Sequence, residues 1–414
     1  MPIDPNPWML LPFAALLLSI AIMPFVNKRW WEKFYPLVAA GLGGITLGYY
    51  LLALRDPLTV ARAAREYASF IALIGSLFIV SGGIHLAWRG TATPAGNVVF
   101  LLIGSVLANI IGTTGASMLL IRPWLRMNQP RVTALHLVFF IFTVSNIAGC
   151  LTPVGDPPLF LGYLRGVPFF WPLQHLLAPW ACALALLLTV FWVLDRRNFR
   201  RAPAAVRAVP PADGGAAWQL TGARNFLWLA LILAAVFLPS PWREALMVAA
   251  AAAAYCTTPR ATRAANGFNF QPIREVAWLF AGIFATMMPA LAYLKAHAAG
   301  LGLGSPLTFY FASGILSGVL DNAPTYLTFL SAAEGLRGVN VSGLLAGHGE
   351  YLVAISLGAV FFGALTYIGN GPNFMVKAIA EHAGVRVPGF AQYIWQYALP
   401  ILLPTLILIG WLFL

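Results

Sequence analysis

Asp156 and Asp321 are the residues of this 414-residue chain that are best placed to do chemistry. Both lie in apolar stretches long enough to cross a bilayer, where a charged side chain costs about 2.5–3.5 kcal/mol. No other carboxylate is expected at that depth. Burial favours the protonated form of a carboxylate, whereas a bound cation favours the charged form. One buried aspartate can therefore hold either a proton or a small cation, and we predict a site in which the two compete.

Neutral oxygens near these aspartates would complete such a site for a hard cation such as sodium. We predict that these oxygens come from side chains and from backbone carbonyls released at helix breaks. The predicted residues are Asn109, Thr113, Thr152, Gly155, Asn322, Thr366, Gly369 and Asn370. The predicted sodium ligands among them, beside the two aspartates, are Asn109 and Asn322. The alternative for each aspartate is a purely structural role as a helix N-cap.

Lys377 and Asn146 are weaker candidates. Lys377 comes seven residues after Asn370 and would act as a mobile counter-ion to a site carboxylate. The alternative is that its long side chain reaches the membrane interface. Asn146 would line the cavity, with a helix-packing hydrogen bond as an equal alternative.

The composition indicates a membrane setting. The chain is 60% hydrophobic and only 9% charged, and its mean hydropathy is +0.79. These values exclude an ordinary soluble domain and a disordered chain. The net charge of +12 comes largely from arginines in short loops between apolar segments, so it reports membrane topology and not nucleic-acid binding. Three scattered cysteines favour neither a disulfide framework nor a zinc site.

The stretch around Asp156 occurs twice. Residues 149–160 and 363–374 are identical at six of twelve positions at an offset of 214, and Asn370 stands where the first copy has Asp156. Each copy places helix breakers inside an apolar segment. The backbone groups freed by a break are tolerated only inside protein or beside a cavity, so paired breaks predict the binding site of a transporter.

The elements around these breaks repeat in the same order. In the first half we predict crossings at about 8–26, 36–54, 66–88 and 171–194, a re-entrant hairpin at 97–121 and a broken helix at 132–164. In the second half we predict crossings at about 225–239, 244–258, 274–294 and 389–413, a re-entrant hairpin at 305–330 and a broken helix at 350–383. A polar cluster at each hairpin tip, around Asn109 and Asn322, would otherwise face lipid.

The predicted fold is an all-α polytopic membrane protein made of two inverted repeats, 1–194 and 225–414. It has about ten crossing helices plus two re-entrant hairpins, and two of the crossing helices are broken at the midplane. A cytoplasmic basic linker, 195–224, divides the repeats. Placing both termini outside puts most Lys and Arg residues in cytoplasmic loops, and the two hairpins then open from opposite faces. We expect a multi-pass protein of a bacterial-type inner membrane.

Three phrases carry a family resemblance: ANIIGTTG at 108–115, LTPVGDPP at 151–158 and LDNAPT at 320–325. Over nearly its whole length the chain resembles the NhaD-type sodium/proton antiporters and the citrate-transporter-like proteins of the ion transporter superfamily. Relatives of this plan are commonly homodimers. In the carboxylate carriers of the superfamily the hairpin tips bear Ser-Asn-Thr, whereas Ala108 and Asp321 precede the two asparagines here, which argues against a carboxylate substrate.

We therefore expect a secondary active transporter working by alternating access, and not an enzyme. Two buried acids favour a sodium/proton antiporter. A sodium-coupled citrate or dicarboxylate symporter is the alternative, because half-helix N-termini attract anions, and a channel or non-transporting receptor is the third. The chain has no phosphate-binding motif, so ATP is not expected as the energy source. We expect no cofactor beyond a transported or coupling sodium ion, and as partners only small ions or a small carboxylate, the lipid bilayer and no nucleic acid.

Overall fold

The computed structural model describes residues 5–88, 92–203 and 218–414. The α-helices of these parts are α1 Leu11–Val26, α2 Lys28–Gly48, α3 Pro57–Gly82, α4 Pro94–Met127, α5 Ala134–Thr143, α6 Pro157–Leu164, α7 Trp171–Arg201, α8 Asn225–Ala235, α9 Trp242–Thr257, α10 Arg260–Ala265, α11 Gln271–His297, α12 Pro306–Val319, α13 Asn322–Arg337, α14 Val341–Gly347, α15 Gly349–Phe361, α16 Gly371–His382, α17 Phe390–Tyr393 and α18 Leu403–Phe413. Shorter 3₁₀ segments are Pro7–Leu10, Gln129–Arg131, Ile147–Leu151, Ala298–Leu301 and Phe362–Leu365, and π-helical turns are Tyr49–Ala53 and Ile394–Leu402.

Helix length and composition confirm a polytopic all-α membrane protein. In the described ranges, eight helices are long and apolar enough to cross a membrane, or nine if the bent pair Val341–Gly347 and Gly349–Leu365 is one span. The crossings predicted at 225–239 and 244–258 are shorter than expected, since α8 has 11 residues and α9 has 16. A crossing helix needs about 20 residues. Pro239 and Pro241 lie between α8 and α9 and limit the length of both helices.

The first predicted hairpin is longer than its predicted bounds of 97–121. Helix α4 reverses at Gly112, whose backbone angles of φ 78° and ψ 153° are accessible to glycine. A Cβ atom at Gly104 would lie 3.0 Å from Leu120 Cδ1. A straight helix would separate these residues by roughly 24 Å, so the two arms of α4 lie side by side. Asn97 and Asn128 close the open end through two side-chain hydrogen bonds of 2.8 and 3.1 Å.

The second hairpin consists of α12 and α13, which meet at Leu320 and Asp321. Its arms also fold together, because the rings of Phe309 and Phe329 lie 6.0 Å apart between centroids. Helix α13 continues to Arg337, beyond the predicted end at 330. Entry of each hairpin from one membrane face stays a prediction.

Both repeated stretches interrupt a helix. The first break separates α5 from α6 and includes the 3₁₀ segment Ile147–Leu151; the second separates α15 from α16 and includes Phe362–Leu365. The repeated glycines allow the chain to fold tightly on itself in each break. A Cβ atom at Gly155 would lie 2.3 Å from Gly149 O, and a Cβ atom at Gly369 would lie 2.6 Å from Gly363 O.

The two halves pack against each other in matching pairs. Helix α3, the third long helix of the first half, packs against α9, and its counterpart α11 packs against α2. The hairpins pack in the same crosswise way. Helix α13 of the second hairpin packs against α6 of the first broken helix, and α16 of the second broken helix packs against α4, the first hairpin. This arrangement brings each hairpin to the broken helix of the other half. The assignment of 1–194 and 225–414 as inverted repeats stays a prediction.

The predicted linker at 195–224 is partly regular structure. Helix α7 runs to Arg201, and Trp218–Thr221 forms strand β2. It pairs antiparallel with strand β1, His85–Trp88, in the register His85 to Thr221. The helical part of the crossing predicted at 66–88 therefore ends at Gly82, and the last four residues of that range form β1. Residues 204–217 of the linker lie outside the described residues.

Candidate functional site

Asp156 is the centre of a buried polar cluster formed by both halves. The residue is 1% exposed and immediately precedes α6. Its Oδ1 accepts hydrogen bonds from Thr113 Oγ1 at 2.7 Å and from Asn370 Nδ2 at 3.3 Å, and its Oδ2 accepts one from Asn322 Nδ2 at 2.5 Å. Within the described ranges, no basic side chain forms an ion pair with Asp156. The carboxylate is thus surrounded by neutral donors.

The donors come from the starts of helical segments. Thr113 opens the second arm of α4, Asn322 opens α13, and Asn370 immediately precedes α16. A helix N-terminus carries a partial positive charge equivalent to about half an elementary charge. Together with the start of α6, these termini stabilise negative charge at Asp156 without a lysine or an arginine.

The two aspartates differ in their structural roles. Asp156 stands at the N-cap position of α6, but its side chain makes no cap hydrogen bond to that helix. Asp321 does cap its helix, because its Oδ1 accepts a hydrogen bond from Ala323 N at 3.0 Å. Asp321 is half-buried, whereas the adjacent Asn322 is fully buried and reaches Asp156.

Asn109, Thr152 and Gly155 join the first hairpin to the first break. Asn109 Oδ1 accepts from Leu151 N at 2.9 Å, and Thr152 Oγ1 donates to Asn109 O at 2.6 Å. The backbone N–H of Thr113 donates to Gly155 O at 2.8 Å. These contacts position Thr113, which itself donates to Asp156.

Thr366 and Gly369 play the matching part in the second half. Thr366 Oγ1 donates to Gly318 O of α12 at 2.7 Å and accepts from Gly369 N at 3.2 Å. The contact ties the second hairpin to the second break. The halves differ at the position of Asp156. The second half has Asn370 there, and its side chain donates a hydrogen bond to Asp156.

Lys377 has a partner other than a site carboxylate. Its Nζ forms an ion pair with Glu381 Oε1 at 2.5 Å, one turn later in α16. The same Nζ lies 5.7 Å from the centre of the Tyr367 ring. In this structure the side chain is thus engaged within its own half-helix and its aromatic neighbours.

Asn373 was missed by the sequence analysis, and it pairs with Asn146. Asn146 Nδ2 donates to Asn373 Oδ1 and to Ile141 O, both at 2.7 Å. Asn373 Nδ2 donates to Gly363 O at 2.8 Å and to Thr366 O at 2.9 Å. The pair therefore satisfies carbonyls released at both breaks and joins the two broken helices. The sequence signal that could have identified Asn373 is its position three residues after Asn370.

A small cavity adjoins the first hairpin tip. It has a volume of about 30 Å³ and is lined by Leu77, Gly112, Thr113 and Gly155 among others. A cavity needs roughly 10–15 Å³ of this volume to hold one water molecule. The cavity is therefore large enough for a water molecule beside the residues that hold Thr113 against Asp156.

A further aspartate, Asp195, is buried in the protein, although its position in the sequence predicted a linker residue. It was assigned to the start of the linker, but α7 continues through it and leaves it 0% exposed. Its carboxylate forms an ion pair with Arg131, contacts His136 Nε2 at 3.1 Å and accepts from Asn97 Nδ2 at 2.8 Å. This cluster ties the open end of the first hairpin to α7.

The chain was compared with models of protein families and with curated proteins. Residues 4–414 match a family model whose description is "Putative citrate transport". No match was found among curated proteins. Because the family model spans nearly the whole chain, including both hairpins and both breaks, this multi-pass membrane protein belongs to the CitMHS_2 family and is a citrate-transporter-like secondary transporter.

Proposed function

We propose that the protein is a sodium/proton antiporter in which Asp156 alternately holds a proton and a sodium ion. The observation that carries the proposal is the environment of Asp156: a carboxylate 1% exposed, contacted by Thr113, Asn322 and Asn370 and by no cationic side chain in the described ranges. A buried charge without a fixed counter-charge is costly. A bound cation or a proton removes that cost, and the two exclude each other.

Asn322 supports a cation at this position. Its Nδ2 donates to Asp156, and its Oδ1 is buried with no hydrogen-bond partner in the part of the chain that the structure describes. An unsatisfied buried acceptor costs about 1–3 kcal/mol. A sodium ion between the amide oxygen and the carboxylate would satisfy both groups, because hard cations prefer oxygen ligands. Asp321 would add a second acid beside Asn322, at the half-buried edge of the cluster.

Sodium-coupled citrate or dicarboxylate symport is the second candidate. The family description and the converging helix N-termini both favour it, since such termini attract carboxylates. In this chain, however, the Asp156 carboxylate itself occupies the point where the N-termini meet. A substrate carboxylate would have to bind beside that negative charge, which makes the antiporter the better-supported proposal.

The test is an assay in everted vesicles that carry the full chain and an internal pH indicator. Sodium, lithium, potassium and citrate are added in turn across pH 6 to 9, with vesicles lacking the protein as control. The antiporter predicts proton movement on addition of sodium alone. Proton movement or labelled-citrate uptake that requires citrate and sodium together would contradict the antiporter and support the symporter.

The cellular setting belongs to the same proposal. We propose a bacterial-type inner membrane, both termini outside, hairpins that open from opposite faces, and a homodimer. Cysteine-accessibility labelling at the two ends of the chain would test the orientation, and crosslinking in native membranes would test the dimer.

A further inference from the structure

A groove on the surface of the helix bundle lies between α4 and α7, and its lining shares no residue with the Asp156 cluster. It has a volume of about 600 Å³ and its lining includes Leu102 of α4 and Trp180, Ala185, Leu188 and Trp192 of α7. Leu102 is 42% exposed and Trp192 is 38% exposed, so the groove is open along its length. Its surface is almost entirely apolar, as the surface around an acyl chain must be.

One end of this groove is basic. Asn97 at the start of α4 donates to Asp195 near the end of α7, so the two helices run antiparallel and meet at that level. Arg196 follows directly and is exposed. The Arg196 guanidinium lies over the Trp192 ring at 5.0 Å from its centre, which places the charge at the mouth of the groove.

The groove also has the length of one leaflet. Trp180 and Trp192 are twelve residues apart on α7, which corresponds to about 18 Å along the helix axis. Half of the hydrocarbon thickness of a bilayer is roughly 15 Å. An acyl chain that starts at the level of Arg196 would therefore end near Trp180. The indole N–H of Trp180 donates to Ala148 O in the first break at 3.2 Å, so the deep end of the groove touches that break.

We propose that this groove binds an anionic phospholipid, with an acyl chain between α4 and α7 and the phosphate on Arg196. Charge complementarity at one end and leaflet-length apolar surface along the rest select this occupant. Basic pockets between membrane helices recognise anionic headgroups in this way. The lipid site depends on neither transport candidate, because its ligand contacts a different face of the bundle.

The experiment is native mass spectrometry of the full chain in detergent, titrated with phosphatidylglycerol or with phosphatidylcholine of the same acyl chains. The wild type should retain phosphatidylglycerol more tightly. The variant Arg196→Gln should weaken phosphatidylglycerol binding by roughly fivefold, from about 1 kcal/mol for one basic residue, and should leave phosphatidylcholine unchanged. Ala185→Phe fills the groove and should weaken both lipids.

The matched control is Arg260→Gln, which removes an exposed arginine from α10 at a distance from the groove. It should bind phosphatidylglycerol like the wild type. Equal phosphatidylglycerol binding in the wild type and in Arg196→Gln would overturn the proposal. So would an Ala185→Phe protein that dissociates from dimer to monomer with unchanged lipid adducts, because the groove would then be a contact between two copies of the chain. Elution as a single folded species is required of every variant before lipid binding is compared.

Discussion

Asp156 and Asp195 are two buried aspartates with opposite electrostatic surroundings. Both are at most 1% exposed, and each accepts a hydrogen bond from an asparagine, Asn322 in one case and Asn97 in the other. Asp195 also has the guanidinium of Arg131 as a fixed counter-charge. Asp156 has only neutral donors in the described part of the chain.

The difference indicates different uses of buried charge. An aspartate paired with a buried arginine has no reason to bind another cation, and breaking the pair is costly to the fold. An aspartate held by neutral donors keeps its negative charge available to a proton or a metal ion. We therefore expect changes at Asp156 to affect transport and changes at the Asp195 cluster to affect stability.

The largest effect on transport is expected from Asp156→Asn. The substitution keeps the shape of the side chain but removes the charge for which sodium and protons compete. Sodium-driven proton movement in everted vesicles should fall to the level of vesicles without the protein, while the yield and elution of the purified protein stay normal. Glu66→Gln is the control, since Glu66 pairs with Arg165 at 2.9 Å outside the cluster and should retain activity. Full exchange in Asp156→Asn would end the antiporter proposal.

The largest effect on stability is expected from Arg131→Gln. It leaves Asp195 buried beside His136 without its guanidinium, and removing one partner of a buried ion pair costs about 3–5 kcal/mol. The thermal unfolding temperature of the purified variant should be clearly lower than that of the wild type, whereas transport per folded molecule should be near normal.

A double variant sharpens this prediction. Arg131→Met with Asp195→Leu replaces both charges by apolar groups and should recover most of the lost stability. If the double variant unfolds as readily as Arg131→Gln, the charge pair is not the source of the effect. If Arg131→Gln abolishes transport without lowering stability, the division between the two aspartates is wrong.

A smaller effect is expected at the asparagine donors. Hydrogen bonds to charged groups contribute about 1.5–3 kcal/mol, so Asn322→Ala should weaken the apparent sodium affinity by about tenfold or more. Asn370→Ala should weaken it less, because its hydrogen bond of 3.3 Å is longer than the 2.5 Å bond of Asn322. The measurement is the sodium dependence of proton movement at fixed pH. Asn340→Ala, at an exposed cap of α14, serves as control. A larger loss in Asn370→Ala would contradict the ranking.

The sequence located the Asp156 cluster because its chemistry is local. Repeated glycines and prolines report directly where the backbone must break and approach itself, and they mark both Asp156 and its counterpart Asn370. The polar residues at the hairpin tips follow from the same physics, since they cannot face lipid. The contact between Asn322 and Asp156 then depends on how the halves pack, which no local pattern encodes.

The Asp195 cluster was not predictable in the same way. Arg131 is 64 residues away in the sequence, and each of the two charges stands beside a run of residues typical of a loop. Only the packing of α7 against the open end of the first hairpin buries them together. Helix ends were missed for a related reason, because the lengths of α8 and α13 depend on neighbouring elements as well as on hydropathy.

The smallest effect is expected at Asp321, and it separates a cap from an ion ligand. Asp321→Asn keeps an acceptor for Ala323 N, so α13 should remain capped and stability should be unchanged, whereas Asp321→Ala should lose about 1 kcal/mol. As the outer acid of the proposed site, Asp321 should lower the exchange rate when changed to Asn, without abolishing exchange as Asp156→Asn does. The measurements are the thermal unfolding temperature and the rate of sodium-driven proton movement, each for both variants. If Asp321→Asn exchanges like the wild type, the residue is only a cap, and Asp156 alone carries the competition between sodium and protons. If Asp321→Asn is as inactive as Asp156→Asn, the two acids act as one unit despite their different burial.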